Sequence, residues 1–209
     1  MTDSLSFNNS SLLDIFAPRA FETPVNVKLE DAALVFAARA NREAYAALYH
    51  RYANSVYRYI LAYVRNVQDA QDLTEQTFLA GLEGIRSFEG RGQFSAWLFG
   101  IARRKVMDYY RHERIHVPLD SLTETAHPAR QPDQVVEDRL DFEQLALAIN
   151  TLAPDRAEAI RLRIFAELSI PEISESMGRS ESAVRMLLSR AVNDLRRKLT
   201  SDDTPDTSR

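Results

Sequence analysis

The chain of 209 residues contains no cysteine. That absence excludes disulfides, thiolate metal sites and cysteine nucleophiles, and the four histidines do not have the spacing of zinc ligands. No metal and no cofactor are expected. Glycine (6 residues) and proline (8) are too scarce for a collagen-like, mucin-like or low-complexity chain. Long apolar runs are missing as well: Arg, Asp or Glu interrupts every stretch before it reaches the roughly 18 residues that span a bilayer. Membrane insertion is therefore not expected. Residues 1–16 are rich in Asn and Ser and carry no basic segment ahead of their apolar pieces, which argues against a secretory signal and for a cytoplasmic protein. Strand-type alternation is absent throughout. What remains, 45% hydrophobic and 27% charged residues, is the composition of a folded, all-α protein of one or two domains.

The formal net charge of -4 is wrong for a nucleic-acid binder until it is located along the chain. Between Asn66 and Gly90 one base, Arg86, faces five acids: Asp69, Asp72, Glu75, Glu83 and Glu89. This segment repels DNA. Between Arg91 and Arg114 the balance inverts, with Arg91, Arg103, Arg104, Lys105, Arg111 and Arg114 against Asp108 and Glu113. A second basic island follows between Met177 and Leu199. Two phosphate-attracting segments thus flank a linker, with an acidic one beside the first.

Helical periodicity takes over from Asp31. Asn41 is a candidate N-cap for a long helix with Tyr45, Tyr49, Tyr52, Val56, Ile60 and Tyr63 at three- or four-residue spacing. A second helix is predicted over Val67–Gly84, with Ala70, Leu73, Thr74, Thr77 and Phe78 inward and Asp72, Glu75, Gln76, Leu79 and Glu83 outward. A third runs from Phe94 to about His112, after a glycine-broken loop. Prolines at 118, 128 and 132 mark a linker without an apolar face. Periodicity resumes at Leu140. Ser169 followed by Glu172 then reads as a capping box, and Gly178 separates that short helix from a last one, capped by Ser180, whose stripe is Val184, Leu187, Leu188, Ala191 and Leu195. Two short helices about a glycine turn, the second basic, form a helix-turn-helix. The predicted organisation is two helical domains joined by a flexible linker: a flexible arm over 1–29, a first domain over 30–114, a linker over 115–137, a second domain over 138–200 and a polar tail over 201–209.

On the last helix Glu181, Arg185 and Ser189 lie opposite the apolar stripe, with Ser182, Met186 and Arg190 beside them. These side chains suit a major groove, or form a solvated charged face. On the third helix, at about 100° per residue, Arg103, Arg104, Met107, Tyr110, Arg111 and Arg114 share one sector, a basic stripe with aromatic interleaving able to follow a phosphate backbone. In the loop before it, Phe88 and Arg91 have the chemistry to hold an unstacked base, while Phe88 equally suits a core plug. Catalytic motifs are absent: there is no phosphate cradle, no nucleophile motif, and no histidine or third ligand to match the carboxylates of the second helix. The chain reads as a non-enzyme, with an acidic face made for a protein partner.

Taken together, Asp69-Ala70-Gln71-Asp72-Leu73-Thr74-Glu75-Gln76-Thr77-Phe78, Phe94-Ser95-Ala96-Trp97-Leu98-Phe99-Gly100-Ile101-Ala102-Arg103, Asp108-Tyr109-Tyr110-Arg111, and Leu152, Pro154, Arg156, Leu168-Ser169, Glu172-Ile173, Gly178 and Ser180-Glu181 resemble the extracytoplasmic-function (ECF) sigma factors of the sigma-70 family. The resemblance covers about Leu29 to Leu199. Departures are the exchanged order at Glu75-Gln76, Ser95 in place of the usual arginine, and Leu187 where arginine is frequent. It implies a bundle corresponding to sigma region two and a helix-turn-helix corresponding to region four. By the same resemblance, Asp69, Asp72, Glu75, Gln76 and Leu79 bind the clamp helices of the largest subunit of core RNA polymerase. Phe88, Arg91, Trp97, Arg103, Arg104, Tyr110 and Arg111 engage the promoter minus-ten element, and Ser180, Glu181, Ser182, Arg185, Met186, Ser189 and Arg190 the minus-thirty-five element. The polymerase flap and an anti-sigma factor are further implied partners. Two other readings stand beside this one: a stand-alone helix-turn-helix regulator that dimerises through its first domain, and a polymerase-binding decoy needing only the acidic helix.

Overall fold

A computed structural model describes residues 25–88, 90, 93–116 and 133–201. Among them eight helices and no strands occur: α1 (Val25–Ala38), α2 (Arg42–Val64), α3 (Val67–Gly84), α4 (Phe94–His116), α5 (Asp133–Asn150), α6 (Pro154–Ile164), α7 (Ile170–Met177) and α8 (Glu181–Ser201). The all-α expectation holds, and none of these helices is long and apolar enough to cross a membrane. Helix α1 begins inside the segment assigned to the arm, and α4 and α5 each extend into the segment assigned to the linker. Residues 1–24 of that arm, the centre of that linker (117–132) and residues 202–209 of the tail lie outside the described residues.

The sequence sets the corners of the first bundle directly. Asn41 takes an extended conformation and its Oδ1 accepts the Glu43 N–H at 2.8 Å, satisfying a donor that the first turn of α2 leaves open. At the far end Arg65 turns left-handed (φ 57°) and donates its N–H to the Leu61 carbonyl. Asn66 follows at once as the cap of α3, accepting from Gln68 and Asp69. A two-residue corner therefore reverses the chain. Helix α2 packs against α1, α3 and α4, and the space between them is filled by Leu48, Val56, Tyr59, Ile60, Leu98 and Phe99, all fully buried. Each such side chain contributes about 1.5–3 kcal/mol by leaving water. Gly81 lets α3 approach α2 closely, because a Cβ there would lie 2.7 Å from the Tyr45 hydroxyl. That hydroxyl donates to the Phe78 carbonyl at 2.5 Å, and burial raises its pKa to about 12.

In the second bundle α8 packs on α6 and α7, with Val184, Ala191 and Leu195 buried along its inner stripe and Leu187 half-buried at the edge. Ser169 and Glu172 close the capping box of α7 as the sequence implied. Gly178 takes φ 61°, the left-handed turn that a Cβ disfavours, and separates α7 from α8. Asp194 binds both Arg156 of α6 and Arg197 of its own helix, and these hydrogen bonds hold its carboxyl below the usual range.

Candidate functional site

Three surfaces carry the residues that the sequence singled out. The first is the outer face of α3, where Asp72, Glu75 and Gln76 are exposed and Leu79 is 60% exposed. Opposite them Ala70, Leu73, Thr74, Thr77 and Phe78 are buried, and the two threonine hydroxyls return their bonds to the carbonyls of Ala70 and Leu73 at 2.7 Å. The inner face is self-contained, so the outer one is available. Asp69 is not part of it: half-buried, its carboxylate accepts the Tyr109 hydroxyl at 2.9 Å and ties α3 to α4.

The second surface is a groove along α4. Trp97, Arg103, Arg104 and Arg111 line it from the first bundle, with Phe88 at its head, and Glu175 and Ser176 of α7 cover it from the second. The Phe88 ring is 8% exposed, 5.1 Å from the Trp97 ring and 6.1 Å from that of Phe94. It is a packing group, and its carbonyl is held by the Arg39 guanidinium. Arg104 is exposed, Arg111 pairs with Asp108, and Arg103 reaches a carboxylate of the second bundle, Glu158, at 3.5 Å. Tyr110 leaves the stripe: its hydroxyl donates to the Tyr63 carbonyl at 2.6 Å, which fastens α4 to α2. Arg91 lies outside the described residues.

The third surface is the outer face of α8. Ser182, Arg185, Met186, Ser189 and Arg190 are exposed together, and Met186 is 54% exposed. Ser180 caps the helix by accepting the Ala183 N–H at 3.3 Å, and Arg185 is paired with Glu181 at 2.9 Å. No group of three or more possible metal ligands occurs among the described residues.

Two family models match the chain. The family described as Sigma-70 region 2 matches residues 48–115, and Sigma-70, region 4 matches residues 142–195. The ECF RNA polymerase sigma factor SigC of Mycobacterium tuberculosis is 31% identical over 81% of this chain and 89% of its own length. The chain belongs to the ECF sigma factors. ECF sigma factor BldN of Streptomyces coelicolor is 36% identical over 77% of the chain, which spans 62% of BldN's length. Among solved structures, CnrH in complex with the cytosolic domain of CnrY shares the fold, with a TM-score of 0.66 and 24% identity over 83% of this chain and 99% of that one. As a sigma factor the protein directs RNA polymerase to promoters for transcription initiation and is not an enzyme. With both family models matched, a stand-alone regulator is not favoured.

The sequence reasoning missed a set of residues facing each other between the domains: Tyr59, Ser95, Glu158, Arg161 and Glu172, all buried. One signal was present. Glu158 and Arg161 fall within the apolar run of α6, among Ala157, Ile160, Leu162 and Ile164. Charges on a core stripe must find partners on another element.

Proposed function

We propose that this sigma factor uses its three surfaces for three partners. The outer face of α3, through Asp72, Glu75, Gln76 and Leu79, binds the clamp helices of the largest polymerase subunit. The groove along α4, with Trp97, Arg103, Arg104 and Arg111 and with Arg91 from the loop ahead of it, holds the opened minus-ten strand. The outer face of α8 reads the minus-thirty-five duplex. Residues 30–114 act as region two and 138–200 as region four, with 115–137 the connection that lets them engage separate promoter elements. One observation carries the reading: Leu79 stands 60% exposed among carboxylates, apart from both basic faces. Its position on an acidic face, which repels DNA, supports a protein as the partner of that face. That CnrH was solved holding a second protein's domain supports an anti-sigma factor as a further partner, and the polymerase flap is the second contact assigned to region four. The site of action is the cytoplasm.

An electrophoretic shift with promoter duplex, with and without core polymerase, tests the proposal. The isolated chain should bind weakly at physiological salt and gain specificity with core enzyme. Tight specific binding by the chain alone would refute it. Within the minus-thirty-five face, Arg185 exchanges its Glu181 partner for a base edge, a contact contributing about 1–3 kcal/mol of discrimination. Arg185→Ala is therefore expected to relax preference at one upstream position in a promoter library. An even loss across all variants would make Arg185 a backbone contact and move base reading to Ser182, Met186 or Ser189.

A further inference from the structure

The loop that carries Arg91 leaves the first bundle at Phe88 and returns at Gln93, and its two roots are held differently. On the return side the buried Phe94 ring packs against Phe88 and Trp97. On the departing side the turn after α3 closes on itself: the Phe88 N–H bonds the Ile85 carbonyl at 3.3 Å, and the Ser87 N–H and hydroxyl bond the Gly84 carbonyl at 3.0 and 2.7 Å. The Phe88 carbonyl turns to another element. It accepts Nη2 of Arg39, in the turn that joins α1 to α2, 49 residues earlier in the chain. The bond is returned in the opposite sense, since Arg86 Nε donates to the Arg39 carbonyl at 3.3 Å. Two arginines thus tie the same two turns together, each side chain reaching the backbone of the other turn.

The Phe88 carbonyl belongs to the peptide that joins Phe88 to Glu89, and a peptide unit is planar and rigid. Holding that oxygen therefore sets the direction in which the loop starts, which the stacking of the Phe88 ring leaves open. Two residues on, Gly90 takes φ 72° with no atom within 4 Å of the place a Cβ would occupy. The loop turns there without packing, so its course is inherited from its roots. Arg39 itself is half-buried, its acceptor is a neutral carbonyl, and its Nε is buried without a hydrogen-bond partner among the described residues. A buried donor left unpaired costs stability. What this residue provides is the placement of one peptide.

We propose that Arg39 is a positioning residue for promoter opening: by holding the first peptide of the loop it aims Arg91 at the opened minus-ten strand, without touching DNA itself. The inference rests on the assignment of that loop to the strand. Polymerase binding through the outer face of α3 does not involve Arg39, so recruitment and opening should separate when it is replaced. A misdirected loop lowers the effective concentration of Arg91 at the strand and removes no contact of Arg39's own.

The full chain with core polymerase and a promoter carrying 2-aminopurine in the minus-ten element tests this, because the fluorescence of that base rises on unstacking. An electrophoretic shift of the same complex reports recruitment. Arg39→Ala should lower opening roughly tenfold while core binding stays within about twofold of the parent. Arg39→Lys keeps the charge but offers a point donor in place of a planar fork, and should fall between, about threefold below the parent. A double-mutant cycle with Arg91→Ala separates aiming from simple support of the fold. If Arg39 acts through Arg91, replacing it has less than about a twofold further effect once Arg91 is gone. Losses that multiply would make Arg39 a structural residue and overturn the proposal, as would parental opening by Arg39→Ala. Should Arg39→Ala melt well below the parent, the cycle with Arg39→Lys decides in the same terms. If Arg91→Ala alone left opening unchanged, the loop assignment would fall and the inference with it. A loss with Arg91→Ala that the Arg39 variants do not share strikes the inference alone.

Discussion

Replacing Asp72 and Glu75 together by arginine is expected to reduce association with core polymerase by at least roughly tenfold, on the scale of 2–5 kcal/mol set by losing one side of a desolvated charge pair. Transcription from any promoter should fall with it. The inner face of α3 does not depend on either residue: Ala70, Leu73, Thr77 and Phe78 make its contacts, and both replaced side chains are exposed. Arginine is also a good helix former, so the far-UV spectrum and melting temperature should match those of the parent. A pull-down against core enzyme checks it. Unchanged recovery would mean that the acidic face is merely solvated and that Leu79 has no partner.

Phe88→Ala is expected to act on stability before it acts on DNA. The ring is 8% exposed and closes an aromatic cluster with Phe94 and Trp97, which Tyr52 extends at 5.6 Å from Phe94. Truncating a core phenylalanine costs about 3–5 kcal/mol, a large part of the 5–15 kcal/mol by which a domain is typically stable. The melting transition should drop well below that of the parent. Arg91→Ala, by contrast, should leave melting unchanged and weaken strand separation, visible as fainter permanganate reactivity in the presence of core polymerase. Normal stability of the Phe88→Ala protein with lost reactivity would reverse the assignment and return the ring to the DNA.

The inner face of α3 and its end at Gly84 were legible because a regular apolar stripe and a glycine break are local signals. The capping box at Ser169 and the turn at Gly178 were legible for the same reason. Tyr59 was not. It stands at helical spacing between Val56 and Tyr63, but the partner of its hydroxyl is Glu158, far along the chain and in the other domain. Local periodicity carries no information about such a contact. Tyr110 fails in the same way, since it was placed by helical angle and its hydroxyl bonds the Tyr63 carbonyl on another helix, while Asp69, which the resemblance put among the polymerase contacts, accepts the Tyr109 hydroxyl instead. At Phe88 the loop sequence allowed two environments, and only the arrival of Trp97 and Phe94 from α4 chose between them.

Glu172 has one oxygen on the start of α7, accepting from the Ser169 N–H at 2.8 Å and from its hydroxyl, and the other on Ser95 of the opposite domain. A single residue therefore writes into two traits. Any substitution there that loosens the hold between the halves also frays the start of α7, the helix ahead of α8. A lineage drifting toward a more readily released form has to travel through Ser95 or Glu175 instead, where the change is confined to one trait. Natural variation in the ease of release should accordingly gather at those two positions and leave 172 untouched.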